Sequence, residues 1–248
     1  MSARRAGSPL LAVSDLHVAY GKAHVVHGVS FDVHPGEFVV MLGRNGAGKS
    51  TILHAISGLV PKKAGAITFA GKDISRASSA DIVRAGLVQV LEGHRVFTSL
   101  SVEDNLLLGA YARHAPDQRE SLDRIYADFP EIAEKRHQQA SRLSGGQQQI
   151  LAVAQGMMAD PRLLILDEPS GGLAPIVVDR ILAVAASLAG RGLAILLIEQ
   201  LVEKALKHAH YGYLLETGAI GGEGPAEELG DSDLLKRIYL GGSEPAAS

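Results

Sequence analysis

The most chemically pointed stretch of the sequence is Gly43-Arg44-Asn45-Gly46-Ala47-Gly48-Lys49-Ser50, spaced G-x-x-x-x-G-K-S. Glycines at these positions let the backbone curl so that successive N–H groups point into one concavity, and a helix starting there adds the positive end of its dipole. Lys49 is then placed to reach the β- and γ-phosphates of a nucleotide and Ser50 to offer its hydroxyl to Mg²⁺. The expected cradle runs through Thr51. A second segment, Leu163-Leu164-Ile165-Leu166-Asp167-Glu168, is an apolar strand ending in two acids. Asp167 at the strand tip can hold Mg²⁺ through water, and Glu168 is the candidate for orienting or deprotonating an attacking water. By itself such a strand end is weak evidence; behind a phosphate loop it becomes specific. A third segment is Leu143-Ser144-Gly145-Gly146-Gln147, before a helical pattern over Ile150–Met158. Ser144 and two glycines at a helix start offer a hydroxyl, free N–H groups and a dipole end to an anion. The same residues also describe a plain N-cap with a flexible entry.

Placing these groups requires alternating strands and helices. Leu10–Val18 and Val25–Val33 alternate as half-buried strands, and Phe38–Leu42 is short and continuously apolar, as in a strand buried on both faces. Helical spacing follows over Lys49–Gly58, ending at a glycine. From about Asp73 to Leu143 the pattern becomes amphipathic and charged, with helices expected over Val102–Arg113 and Gln118–Phe129, broken by Pro116 and Pro130. This reads as a mostly helical insertion. Strand Leu163–Leu166, helix Pro175–Ala189, strand Leu193–Ile198, helix Leu201–Ala209 and strand Tyr213–Leu215 then alternate, which argues for a largely parallel sheet with helices on its faces.

Composition narrows the chemistry. With no cysteine among 248 residues, a disulfide scaffold, a thiol nucleophile and Cys-ligated zinc or iron–sulfur sites are excluded. The formal net charge of −3 does not suit a strongly cationic nucleic-acid binder, and no nucleic-acid partner is expected. No apolar run approaches the roughly 18 residues that a spanning helix needs. Arg4 and Arg5 precede only a short apolar stretch ending at Asp15, so a cleaved signal peptide is not expected. The histidines include no H-E-x-x-H pattern; His24, His27, His208 and His210 read as surface or interface residues.

Taken in order, the phosphate loop, LSGGQ and LLILDEP resemble the nucleotide-binding subunit of an ABC transporter, over about Leu10 to Gly241. The resemblance implies an α/β fold: a phosphate-loop NTPase core with a mostly parallel sheet, an N-terminal antiparallel β part and an inserted helical subdomain. It implies one nucleotide-binding domain over 10–241, with the core at 10–72 and 160–241, the helical subdomain with LSGGQ at about 73–159, and flexible ends at 1–9 and 242–248. It implies ATP and Mg²⁺, with Tyr20 in Val18-Ala19-Tyr20-Gly21 stacking on adenine and Ser144, Gly145, Gly146 and Gln147 of a second protomer closing over the γ-phosphate.

Three positions depart from the general family pattern. Leu91-Glu92-Gly93-His94-Arg95-Val96-Phe97 puts Glu92 where most members have a Mg²⁺-facing glutamine. Leu197-Ile198-Glu199-Gln200 puts Gln200 in place of the usual histidine; an amide can hydrogen-bond the γ-phosphate but carries no proton, which leaves Glu168 as the base. Ser170-Gly171-Gly172-Leu173-Ala174-Pro175 has Ala174 in place of an aspartate. Together with Ile238-Tyr239-Leu240-Gly241, these features resemble the smaller ATPase subunit of branched-chain amino acid importers. Closely similar subunits serve urea and short-chain amide importers. The implied partners are transmembrane permease subunits, a sister ATPase or a second copy, and indirectly a periplasmic solute-binding protein. The implied location is cytoplasmic, on the inner face of the cell membrane. A soluble ABC ATPase without a membrane partner would be expected to carry a long coiled-coil insertion or a basic stripe, and a GTPase an N/T-K-x-D motif; none occurs.

Overall fold

In the computed structural model, which describes residues 7–93, 96–111, 118–230 and 235, the strand patterns build two sheets. β1 (Leu11–Tyr20) and β2 (Ala23–Val33) alternate buried and exposed positions and pair antiparallel. β3 (Phe38–Leu42) is buried at all five residues. β4 (Ala64–Phe69) and β5 (Lys72–Asp73) complete an antiparallel sheet ordered β2-β1-β4-β5. The second sheet joins β3 to β6 (Leu87–Val90), β7 (Leu163–Asp167), β8 (Ala194–Glu199), β9 (Tyr211–Glu216) and β10 (Ala219–Pro225), in the order β10-β9-β3-β8-β7-β6. Its pairings are parallel except for β10 on β9.

A parallel sheet must be covered on both faces, and the two-residue period of β3 shows how. Phe38, Val40 and Leu42 point into a core shared with the helical layer, while Val39 and Met41 point into a second core shared with the antiparallel sheet. The first face is covered by α3 (Val102–Ala110), α4 (Gln118–Asp128), α5 (Pro130–Ala133), α6 (Gly145–Met157) and α7 (Pro175–Gly190). The second carries α1 (Lys49–Ile56) and, near its edge, α2 (Ser79–Ala85). Two short helices, α8 (Val202–Leu206) and α9 (Ala226–Gly230), follow β8 and β10. α3 lies directly against α6: a Cβ built at Gly109 would stand 2.1 Å from the Gln155 carbonyl oxygen, so only glycine allows this approach.

The stretch expected to be mostly helical from Asp73 to Leu143 contains β6, whose Leu87 and Val90 sit opposite Leu163 and Leu166. Four residues, Leu-Val-Gln-Val, are too few to show a period between helical flanks, so the parallel sheet extends into the expected insertion. α4 stops at Asp128, two residues before Pro130, and α8 is shorter than its expected Leu201–Ala209. Within this helical layer, Arg180 ties α7 to α4 and α5. Its Nε and one terminal nitrogen donate to the Glu131 carboxylate at 2.9 and 3.2 Å, and that nitrogen also reaches the Asp128 carbonyl oxygen at 2.8 Å. The residue pairs His94-Arg95 and Arg4-Arg5, together with Arg113, Pro116 and the 238–248 segment, lie outside the described residues.

Candidate active site

The phosphate loop leaves β3 at Leu42 and enters α1 at Lys49. It turns through Gly46 and Gly48 at φ 80° and 102°, left-handed values that favour glycine. Its far side is propped by the β9–β10 turn. The Gly218 N–H donates to the Ala47 carbonyl oxygen at 2.9 Å, and the Gly218 carbonyl oxygen accepts from His27 N–H at 2.8 Å. A Cβ at Gly218 would fall 2.1 Å from the Val25 carbonyl oxygen, so the turn can approach this closely only without a side chain.

Lys49 is 4% exposed. Its ammonium donates to the Gly43 and Arg44 carbonyl oxygens at 2.8 and 3.2 Å, and lies 3.1 Å from Glu168 Oε1. The other Glu168 oxygen accepts from Gln200 Nε2 at 2.6 Å. Lys49, Glu168 and Gln200, far apart in the sequence, therefore meet at one carboxylate. Glu168 has φ 43°, a left-handed value uncommon for a residue with a side chain, and its N–H donates to the Ile198 carbonyl oxygen at 3.0 Å.

One residue earlier, buried Asp167 accepts from Ser50 Oγ at 3.3 Å and faces Gln89 Nε2 at 3.5 Å. Burial pushes its carboxyl up from the ordinary value; the Ser50 hydrogen bond and His54 oppose this, and the Glu168 and Glu92 charges add to it. A cavity of about 410 Å³ opens over this group, lined by Asn45, Lys49, Ser50, Thr51, Glu92 and Glu168 among others. Ser50 and Glu92 in its lining, with Asp167 behind Ser50, offer only hard oxygen donors, the donor set that suits Mg²⁺. A larger cavity of about 500 Å³, with Leu10, Arg162 and Leu193 in its wall, lies at the amino ends of the parallel strands, away from the phosphate loop.

Two predicted groups stand apart from this cavity. Tyr20 is 48% exposed at the β1–β2 turn, paired with Ala23. Ser144, Gly145, Gly146 and Gln147 start α6 as a capping box: Gln147 N–H donates to Ser144 Oγ at 3.3 Å and Ser144 N–H to Gln147 Oε1 at 3.1 Å. The structure also shows residues that motif reading passes over. Gln89 joins Asp167 to Ser57, whose hydroxyl donates to Gln89 Oε1 at 2.6 Å. Glu199 gathers four donors from two loops, and only its place before Gln200 in the sequence could have drawn attention to it.

A phosphate loop with a buried lysine, facing a carboxylate pair at the tip of the parallel strand next but one in the sheet, defines a phosphate-loop nucleotide hydrolase. The chain belongs to the ABC transporter family, whose model matches residues 26–171. It is 37% identical over 233 residues to the high-affinity branched-chain amino acid transport ATP-binding protein BraG of Pseudomonas aeruginosa, covering 94% of this chain and all of that one. It is 32% identical to the lipopolysaccharide export system ATP-binding protein LptB of Escherichia coli, covering 93% of this chain and 97% of that one. The crystal structure of the ADP conformation of MJ1267, an ATP-binding cassette of an ABC transporter, superposes with a TM-score of 0.83 at 25% identity, covering 95% of this chain and all of that one. The expected fold class holds: this is the ABC ATPase fold, and the protein is an ATP-hydrolysing, transport-driving subunit that resembles branched-chain amino acid transporter ATPases. Among the described residues, no helix is long and apolar enough to cross a membrane.

Proposed function

We propose that this protein powers the import of branched-chain amino acids through separate transmembrane permease subunits, working at the inner face of the cell membrane and receiving solute indirectly from a periplasmic binding protein. The observation that carries the chemistry is the meeting of Lys49 and Gln200 at the Glu168 carboxylate, 3.1 and 2.6 Å away. The loop N–H groups and Lys49 bind the triphosphate of ATP. Ser50, Asp167 and Glu92 would hold its Mg²⁺, which would neutralise charge developing on the phosphates. Glu168 accepts the proton of the attacking water, Gln200 donates to the γ-phosphate, and Tyr20 stacks on the adenine. Ser144 to Gln147 of a second protomer, either a sister ATPase or another copy of this chain, close over the γ-phosphate.

The solute assignment rests on the end-to-end identity with BraG, 37% against 32% for LptB. In cells lacking the native chain, uptake of labelled leucine, isoleucine and valine is expected to fall at least tenfold, and to return with the wild-type chain but not with Lys49→Ala. Loss of urea or short-amide uptake with normal leucine uptake would move the solute. Normal uptake of both, with a lipopolysaccharide defect at the cell surface, would replace import by export.

A further inference from the structure

Glu199 ends β8 and is 1% exposed, a carboxylate taken almost wholly out of water. Burying a charge this completely is unfavourable unless donors surround it. Four do. Oε1 accepts from Ser170 N–H at 3.1 Å, and Oε2 accepts from Ser170 Oγ at 2.8 Å, Gln200 N–H at 3.0 Å and Leu201 N–H at 3.4 Å. Two of these come from the loop after β7, which begins with Glu168, and two from the loop after β8, which begins with Gln200. Glu199 therefore stands between the two groups that meet at 2.6 Å in the active site. In the sheet it pairs with Leu42, the residue before the phosphate loop, while its neighbour Ile198 pairs with Asp167.

We infer that Glu199 is a positioning residue for ATP hydrolysis: its buried carboxylate clamps the Ser170 loop to the Gln200 loop, and so fixes Glu168 and Gln200 toward one point. The clamp does not line the cavity over the phosphate loop. It acts through the backbone of the two loops, and the left-handed Glu168 makes this control necessary, because a residue at φ 43° relaxes to another conformation unless its neighbours hold it. ATP binding depends on the phosphate loop and Lys49, which Glu199 does not hydrogen-bond. The clamp therefore governs turnover far more than affinity. This inference rests on the proposed hydrolytic roles of Glu168 and Gln200.

The test uses Glu199→Gln in the full chain. The amide keeps the shape but has one acceptor oxygen. If its NH₂ replaces Oε2 it confronts two backbone N–H groups, and if it replaces Oε1 it confronts one; either way donors face donors. The expected result is a kcat at least tenfold lower, with KM for ATP and calorimetric affinity for a non-hydrolysable ATP analogue within threefold. Gln200→Ala should lower kcat in the wild-type background but change it less than twofold in Glu199→Gln. Ser170→Ala, which removes one donor and leaves the backbone contact, should show a smaller loss of the same kind with an unchanged melting temperature. Hydrogen exchange should speed up in the peptides covering 168–171 and 199–202 and stay constant in 43–51. The inference is overturned by a Glu199→Gln kcat within twofold of wild type, by exchange unchanged in both loops, or by kcat and ATP affinity falling in parallel. Lys49→Ala is run alongside: if the wild type turns over no ATP, the hydrolytic reading fails, while the exchange arm still decides the clamp.

Discussion

Glu168→Gln is expected to weaken the protein measured without nucleotide and to strengthen its hold on ATP. The Glu168 carboxylate forms an ion pair with the buried Lys49 ammonium at 3.1 Å and accepts from Gln200 at 2.6 Å. Hydrogen bonds to charged groups contribute about 1.5–3 kcal/mol and neutral ones about 0.5–1.5 kcal/mol, so making this carboxyl neutral, with the Lys49 ion pair lost as well, costs about 2 kcal/mol. Part is returned, because the Glu168 charge also pushes Asp167 up and its removal relieves that repulsion. The net loss is about 1–2 kcal/mol, or roughly 3–6 °C in melting temperature for a chain of this size. With ATP present the sign reverses. Lys49 is no longer shared with an internal anion, and one carboxylate fewer lines the cavity, so affinity rises by about 5–30-fold for the same energy. Thermal melts without nucleotide and calorimetric titration with Mg²⁺-ATP read both halves. Steady-state hydrolysis, deprived of its base, should fall by about 100-fold or more. A variant that melts at or above wild type and binds ATP no more tightly would refute the reasoning, since the Lys49–Glu168 pair would then not compete with nucleotide.

Other outcomes follow from the same geometry. Arg180→Met should lower the stability at pH 7 by about 1 kcal/mol for a half-exposed pair, and the melting temperature with it. Against the upward push of burial, Arg180 holds the Glu131 carboxyl below its ordinary value. The pair's stabilisation is therefore present above the unfolded carboxylate range and lost as pH falls through the lowered folded value, so mutant and wild-type melting curves should converge below about pH 4. Tyr20→Ala should weaken ATP, GTP and CTP alike by about 1–3 kcal/mol while Tyr20→Phe is nearly silent, as calorimetry will show; undiminished ATP binding by Tyr20→Ala would make the exposed ring a surface residue only. Glu168→Gln with Mg²⁺-ATP should sediment as a dimer, and adding Ser144→Arg should return it to monomer; a persistent monomer would mean either that LSGGQ closes no site in trans or that only a sister ATPase supplies it, which adding the sister subunit distinguishes.

How much of this was legible depended on how far apart the partners lie in the chain. The phosphate loop could be read directly because its glycines, Lys49 and Ser50 are consecutive, and Asp167-Glu168 because an uninterrupted apolar strand delivers them. Gln200 and Tyr20 carried no local signal and are proposed only through family resemblance. Gln89 was missed because a lone glutamine in a four-residue strand reads as an ordinary polar position, and its partners Ser57 and Asp167 are set by sheet order. Glu199 was visible merely as a charge after an apolar run; its four donors come from folding β7 and β8 side by side. The same sheet order explains why β6 was hidden in a stretch with helical patterns.

The placing of β3 bears on how the protein is made. Its two sheet neighbours are β8 and β9, which pair with it along Phe38–Leu42 and lie more than 150 residues later in the chain. At a synthesis rate of about 5–20 residues per second, that separation is on the order of 10–30 s. For that interval a five-residue apolar strand has left the ribosome with neither ladder partner available. The antiparallel sheet, whose strands all lie before residue 74, can assemble early and shelter one face of β3 through Val39 and Met41. The other face, Phe38, Val40 and Leu42, must wait for the helical layer and the last strands, which makes the nascent chain a natural client for chaperones that bind short apolar segments.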